Sequence, residues 1–240
     1  MSPPGGGAGT PGSQANTRPL DMIGPMAIEE VEVGPDLWHV EMYTRGGLLT
    51  LLWHGERDAP HAVVMGGGAM GGLLGPAGGA YHDLGQAFAA RGIQTLRVGY
   101  RQPNELDACV LDMAAAVDLA ARAGGERFVT VGHSFGGAVA VGAGIALPTL
   151  VVGVVTLATQ SAGCERAERL NGRPLLLLHG DRDEILPPFC SEVVAGIAGS
   201  GEVVVLPGAG HLLAEAGDEI RARLTAWIPA VLAGEAPPAR

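Results

Sequence analysis

The sequence predicts an α/β fold: a mostly parallel sheet with helices on both faces and an antiparallel edge made by the N-terminal strands. Three observations carry this expectation. From His61 onward, short aliphatic runs alternate with helix-length segments, and joining parallel strands requires such crossovers. Before His61 the apolar runs are separated only by Gly34-Pro35-Asp36 and Gly46-Gly47, turn signals that favour an antiparallel meander. The chain of 240 residues is 47% hydrophobic and 17% charged, which suits one domain with a substantial core.

The elements follow in order. Residues 1–20, rich in glycine and proline, read as a flexible tail, residues 21–234 as a single domain and residues 235–240 as a flexible end. Strands are expected over 27–33, 38–43 and 48–53 for the meander, then over 62–65. A glycine-rich loop covers 66–79, and a helix over 81–91 stops at Gly92. A strand over 93–98 leads to the best-defined helix, where Leu106, Val110, Met113, Val117 and Ala120 recur at helical spacing. Asp107, Asp112 and Asp118 lie off that stripe, and Gly124-Gly125 ends it. Then come a strand over 128–131, a small-residue helix from 137, and strands over 150–157 and 175–178. A helix over 188–197, a strand over 203–206 and a helix over 212–232 complete the pattern, the last with Ile220, Leu224, Trp227 and Val231 toward the core.

Composition excludes several classes of function. The 25 acidic residues outnumber the 15 basic ones, giving a formal charge of -10, whereas a nucleic-acid surface needs clustered Lys and Arg. Cys109, Cys164 and Cys190 lie far apart without a C-x-x-C, so neither a disulfide frame nor a metal site is expected, and a cytoplasmic location is. The first residues lack the basic and apolar regions of a secretory signal. Residues 135–158 carry no charge and are long enough to span a bilayer. Their glycines and Pro148 divide the run into a buried helix and a buried strand, so no membrane contact is expected.

In sheets of this kind functional groups gather beyond the carboxyl ends of the strands. Those positions hold Gly66-Gly67-Gly68, Tyr100-Arg101, Ser134, the segment 159–164, Gly180-Asp181-Arg182-Asp183 and Gly208-Ala209-Gly210-His211. A serine, an acid and a histidine thus stand on separate strand-end loops. Serine hydroxyl is a poor nucleophile near neutral pH; it needs a base, and that imidazole needs an acceptor to fix its tautomer. Gly132-His133-Ser134-Phe135-Gly136, between a strand and a helix, fits a nucleophile elbow, whose tight turn needs glycines on both sides.

The elbow, the acid turn His179-Gly180-Asp181-Arg182-Asp183 and the histidine turn Pro207-Gly208-Ala209-Gly210-His211 resemble motifs of the α/β-hydrolase superfamily, in esterase and dienelactone-hydrolase-like forms without a large cap domain. The resemblance covers residues 27–232. It implies Ser134 as nucleophile, His211 as base and Asp183, favoured by family spacing over Asp181, as the acid. It also implies oxyanion donors at the N–H of Phe135 and in the loop after the first parallel strand, where Gly67 is expected and Gly68 is the alternative. Met65 stands where many relatives carry a histidine before those glycines. His133 is expected to be structural.

The same loop satisfies G-x-G-x-x-G, but Gly71-Gly72 and Gly75-Pro76 prolong it where a dinucleotide-binding helix would begin. No cofactor and no metal are expected. The segment 159–173 is too short for a cap, so an open pocket is expected, with Arg101 and Gln160 as substrate contacts, Cys164 nearby, and Arg101 facing an acidic group. The implied activity is cleavage of a small-molecule carboxylic ester, thioester or lactone through an acyl-enzyme. An aminopeptidase-like amide hydrolase and a non-catalytic binding protein of the same fold are the alternatives.

Overall fold

The computed structural model describes residues 17–235. Within them, nine strands form one sheet: β1 (Pro25–Gly34), β2 (Leu37–Thr44), β3 (Gly47–His54), β4 (His61–Gly66), β5 (Ile93–Gly99), β6 (Arg127–His133), β7 (Val151–Leu157), β8 (Leu175–Gly180) and β9 (Glu202–Leu206). Their spatial order is β1-β2-β3-β5-β4-β6-β7-β8-β9. The pairs β1 with β2, β2 with β3 and β3 with β5 are antiparallel; all pairs from β5 to β9 are parallel. The meander and the parallel sheet expected from the turn signals and the strand-helix alternation are both present.

Among the described residues six α-helices flank the sheet: α1 (Pro19–Ile23), α2 (Ala80–Ala89), α3 (Leu106–Ala123), α4 (Phe135–Ala146), α5 (Phe189–Ala198) and α6 (Gly217–Ala233). The alternation of side chains along a strand sorts the core into two layers. On β4, Ala62 and Val64 pack with α3 and α4, while Val63 and Met65 pack with α2 and α6; on β8, Leu175 and Leu177 divide from Leu176 and Leu178 in the same way. Strands buried on both faces must be continuously apolar, which accounts for the unbroken leucine run of β8. Strand order reverses at β4, which has β5 on one side and β6 on the other. The crevice at such a reversal is where ligands reach a doubly wound sheet.

Two helix starts and the burial of Leu20 differ from the sequence expectation. The last helix begins at Gly217, after a 3-10 turn at Ala214–Ala216, because Leu213 is buried in the left-handed region at φ 55°. The elbow helix begins at Phe135, immediately after Ser134. Residues 1–16 of the expected tail and 236–240 of the expected end lie outside the described residues. The last residue of that tail, Leu20, is buried in α1, and its N–H donates to Asp118 Oδ2 at 3.1 Å.

Of the three off-stripe acids of α3, Asp107 is exposed, whereas Asp112 and Asp118 are buried. Asp118 is ion-paired with Arg18 and Arg122, and Asp112 is fully buried against Arg101. Asp112 accepts the Arg101 backbone N–H at 2.8 Å and its Nε–H at 2.5 Å. Burial pushes the Asp112 carboxyl above its ordinary range, and the Arg101 contacts only partly offset this. The Arg101 guanidinium also reaches Thr44 Oγ1 at 3.4 Å, and the Gln102 amide donates to the Gly46 carbonyl. Together they fasten the β2-β3 turn to α3.

Removing one partner of a buried ion pair strands the other. Asp112→Ala is therefore expected to lower unfolding stability by about 3–5 kcal/mol, while the double change Arg101→Met with Asp112→Leu costs much less. Urea denaturation of both variants checks this ordering.

Candidate active site

Ser134 sits between β6 and α4 with φ 56° and ψ -120°. This conformation is strained for a residue with a side chain, and costs on the order of 1–3 kcal/mol. Its surroundings enforce it. The Ser134 N–H donates to the Leu157 carbonyl at 2.8 Å, and its carbonyl accepts from Gly137 at 2.9 Å. A Cβ at Gly132 would collide with the Gly136 carbonyl, and one at Gly136 with the Gly67 carbonyl. Strand, helix and glycine loop therefore meet closely enough to lift Ser134 into the crevice.

His211, on the turn after β9, places Nε2 3.0 Å from Ser134 Oγ and Nδ1 2.7 Å from Asp183 Oδ2. The carboxylate can only accept, so Nδ1 carries the proton and the Nε2 lone pair faces the serine hydroxyl. Asp183 lies on the turn after β8 with its side chain fully buried. Burial pushes its carboxyl up, but the N–H groups of Leu186 and Ile185 at Oδ1 and the ring of His211 outweigh this and hold it below the ordinary range. Asp181, the rival acid, is exposed and instead accepts the Gly208 N–H at 2.6 Å, bracing the turn that carries His211.

Two further histidines join this arrangement. His133 Nε2 donates to the His211 carbonyl at 2.9 Å, and the two rings lie 5.1 Å apart. Burial pushes the His133 imidazole below its ordinary range, with partial opposition from that bond. His133 also borders the cavity. His179 is fully buried behind Asp183, with Nδ1 2.7 Å from Ser191 Oγ and Nε2 2.9 Å from the Leu186 carbonyl and 3.2 Å from Asp183 Oδ2. Its place four residues before the acid on the same strand end is the sequence signal that marks it.

Above Ser134 lies an open cavity of about 540 Å³, bordered by residues 67–75 and by His133, Ser134, Ile185, His211 and Leu212. Both Gly67 and Gly68 border it. A Cβ at Gly68 would stand 3.7 Å from Ser134 Cβ, whereas the Gly67 carbonyl is turned toward Gly136. Phe135 is the first residue of α4, and the N–H groups of a helix's first turn have no partner within the helix.

The expected substrate contacts are elsewhere. Arg101 does not border the cavity; its guanidinium is held by Asp112, so it is not available to an acidic group. Gln160 is also outside the lining, and its amide donates to the Ala162 carbonyl at 2.8 Å. Cys164 is buried, and burial pushes its thiol up to about 12. Among the described residues, no group of three or more His, Cys, Asp or Glu could hold a metal ion, and no helix is long and apolar enough to cross a membrane. The loop between β4 and α2 stays non-helical to Gly79, so no helix opens within the G-x-G-x-x-G.

No protein-family model and no curated protein sequence matches the chain. Solved structures do. The chain is similar to Est1E from Butyrivibrio proteoclasticus (TM-score 0.69, 14% identity, covering 81% of this chain and 99% of that one). It is similar to a dienelactone hydrolase from Anabaena variabilis (TM-score 0.67, 17% identity, 82% and 99% covered). It is also similar to a monoacylglycerol lipase from Paleococcus ferrophilus (TM-score 0.62, 16% identity, 76% and 99% covered). With its sheet order and elbow, the chain has the α/β-hydrolase fold.

The Asp183 shift has a consequence for stability. Its folded-state pKa lies below the ordinary 3.8, so it contributes stability that is present above that value and lost as pH falls through the folded pKa. Asp183→Asn removes the titration. The loss of urea stability between about pH 5 and pH 2 is expected to be smaller in the variant than in the unaltered protein; equal losses would contradict the depressed pKa.

Proposed function

We propose that this protein is a serine hydrolase that cleaves a carboxylic ester, thioester or lactone through an acyl-enzyme. The observation that carries the reading is the continuous contact from Ser134 Oγ to His211 Nε2 and from His211 Nδ1 to Asp183, with the serine raised on a strained elbow. The names of the similar structures, which include an esterase, a dienelactone hydrolase and a lipase, support ester chemistry.

As Ser134 Oγ attacks the carbonyl carbon, His211 Nε2 takes the hydroxyl proton and the carbonyl π pair moves onto oxygen. The oxyanion lies against the Phe135 N–H at the start of α4 and the N–H of Gly67 or Gly68. Preorganised donors of this kind contribute most where charge develops. Asp183, held ionised by its own hydrogen bonds, stabilises the imidazolium. Collapse of the intermediate expels the leaving group, which receives the proton from Nε2. A water then loses its proton to the same nitrogen and attacks the acyl-enzyme, releasing the acid and restoring Ser134.

Ser134 is expected to be covalently captured by a fluorophosphonate, with capture lost in Ser134→Ala. Asp183→Asn is expected to lower turnover of short acyl esters by about 10⁴, and Asp181→Asn by far less. Absence of capture together with absence of turnover overturns the reading, and a larger loss at Asp181 overturns the assignment of the acid.

A further inference from the structure

Resting on the hydrolase reading, we propose that the cavity above Ser134 selects uncharged aliphatic acyl chains, held against Met70, Leu74, Ile185 and Leu212. These side chains are 93%, 67%, 70% and 65% exposed, and come from three separate loops, yet all border the same cavity. Single exposed apolar residues are ordinary, but apolar side chains gathered round one cavity mark a binding surface. No Asp, Glu, Lys or Arg lies in the lining, whose titratable side chains are His133 and His211. The net charge of -10 further disfavours a carboxylate-bearing acyl group. The rim is registered to the chemistry by the backbone: Ile185 N–H holds Asp183, and Leu212 follows His211. A chain leaving the carbonyl at Ser134 therefore meets this apolar surface at once.

The test uses p-nitrophenyl esters of acetate, butyrate, hexanoate and octanoate, and an ester whose hexanoyl chain ends in a carboxylate. Full burial of one methylene corresponds to about a fourfold gain; in an open cavity, kcat/KM is expected to rise at least about tenfold from acetate to octanoate, with the terminal carboxylate cancelling the gain. Leu74→Asn with Leu212→Asn is expected to flatten the octanoate-to-acetate ratio. A flat or falling series with Ser134 still captured by fluorophosphonate overturns this inference and leaves the hydrolase reading standing. No capture and no turnover of any ester overturns both.

A separate observation, the burial of His179 between Ser191 and Asp183, points to a second role: we infer that His179 is a positioning residue that holds the acid. Ser191 Oγ–H donates to Nδ1, which leaves the Nε2–H to donate to the Leu186 carbonyl, with Nε2 standing 3.2 Å from Asp183 Oδ2. The carboxylate thus lies between the His211 ring, whose Nδ1–H it accepts, and His179, which bonds the carbonyl of Leu186, the residue whose N–H donates to Asp183 Oδ1. His179→Phe is expected to lower kcat at least about tenfold with little change in KM, and His179→Gln, which keeps a donor, to recover part of it. Ser191→Ala, a smaller disturbance, is expected to lower kcat in the same direction and serves if His179→Phe does not fold. Unchanged kcat in the folded variants, or no difference between Phe and Gln, overturns the inference.

Discussion

A side chain at Gly132 would occupy the position of the Gly136 carbonyl, and one at Gly136 that of the Gly67 carbonyl. The close approach of β6, α4 and the glycine loop therefore rests on the absence of two Cβ atoms. Everything at the site follows from that approach. It forces Ser134 to a positive φ, aims its hydroxyl into the crevice at the reversal of strand order, and sets the start of α4 beside the serine. Backbone strain at one residue is tolerated because the parallel sheet, buried on both faces, fixes its neighbours.

The polar groups of the site form a graded series from the exposed crevice to the core. His211 is 12% exposed, Asp183 is fully enclosed, and His179 and Ser191 lie buried behind it. Each enclosed group is compensated: both Asp183 oxygens are contacted, and both His179 nitrogens have partners. Uncompensated polar groups at such depth would cost several kcal/mol, roughly 1–3 each. The rim above is of the opposite character, four exposed apolar side chains and no charge. Polar precision below and apolar tolerance above suit a site that fixes the reacting carbonyl and leaves the rest of the substrate to hydrophobic contact.

How much of this was legible follows from the range of each interaction. The elbow could be read because its glycines answer steric demands within five residues, and the meander because its turns carry Gly and Pro. Asp183 could be preferred over Asp181 by spacing, and the structure turns the latter toward Gly208. Arg101 could not be read: its strand-end position suggested the pocket, but its partners are Asp112 on α3 and Thr44 on the meander. The burial of Asp112 and Asp118 was hidden for the same reason, since α3 meets α1 and Arg101, beyond the end of β5, on a side that its apolar stripe does not reveal. The contacts of His133 and His179 could not be read because their partners are a backbone carbonyl and a buried hydroxyl distant in sequence. The start of α6 escaped because the left-handed Leu213 is imposed by packing.

The central claim is that the reacting acyl group passes through a covalent bond to Ser134. It is tested most directly by acid-quenching the protein within milliseconds of mixing with p-nitrophenyl butyrate and measuring peptide masses. The account predicts a butyryl increment on the peptide containing Ser134, absent in Ser134→Ala, and a burst of p-nitrophenol no larger than the enzyme concentration. Ester turnover by Ser134→Ala at the rate of the unaltered protein, with no acylated peptide, would contradict it.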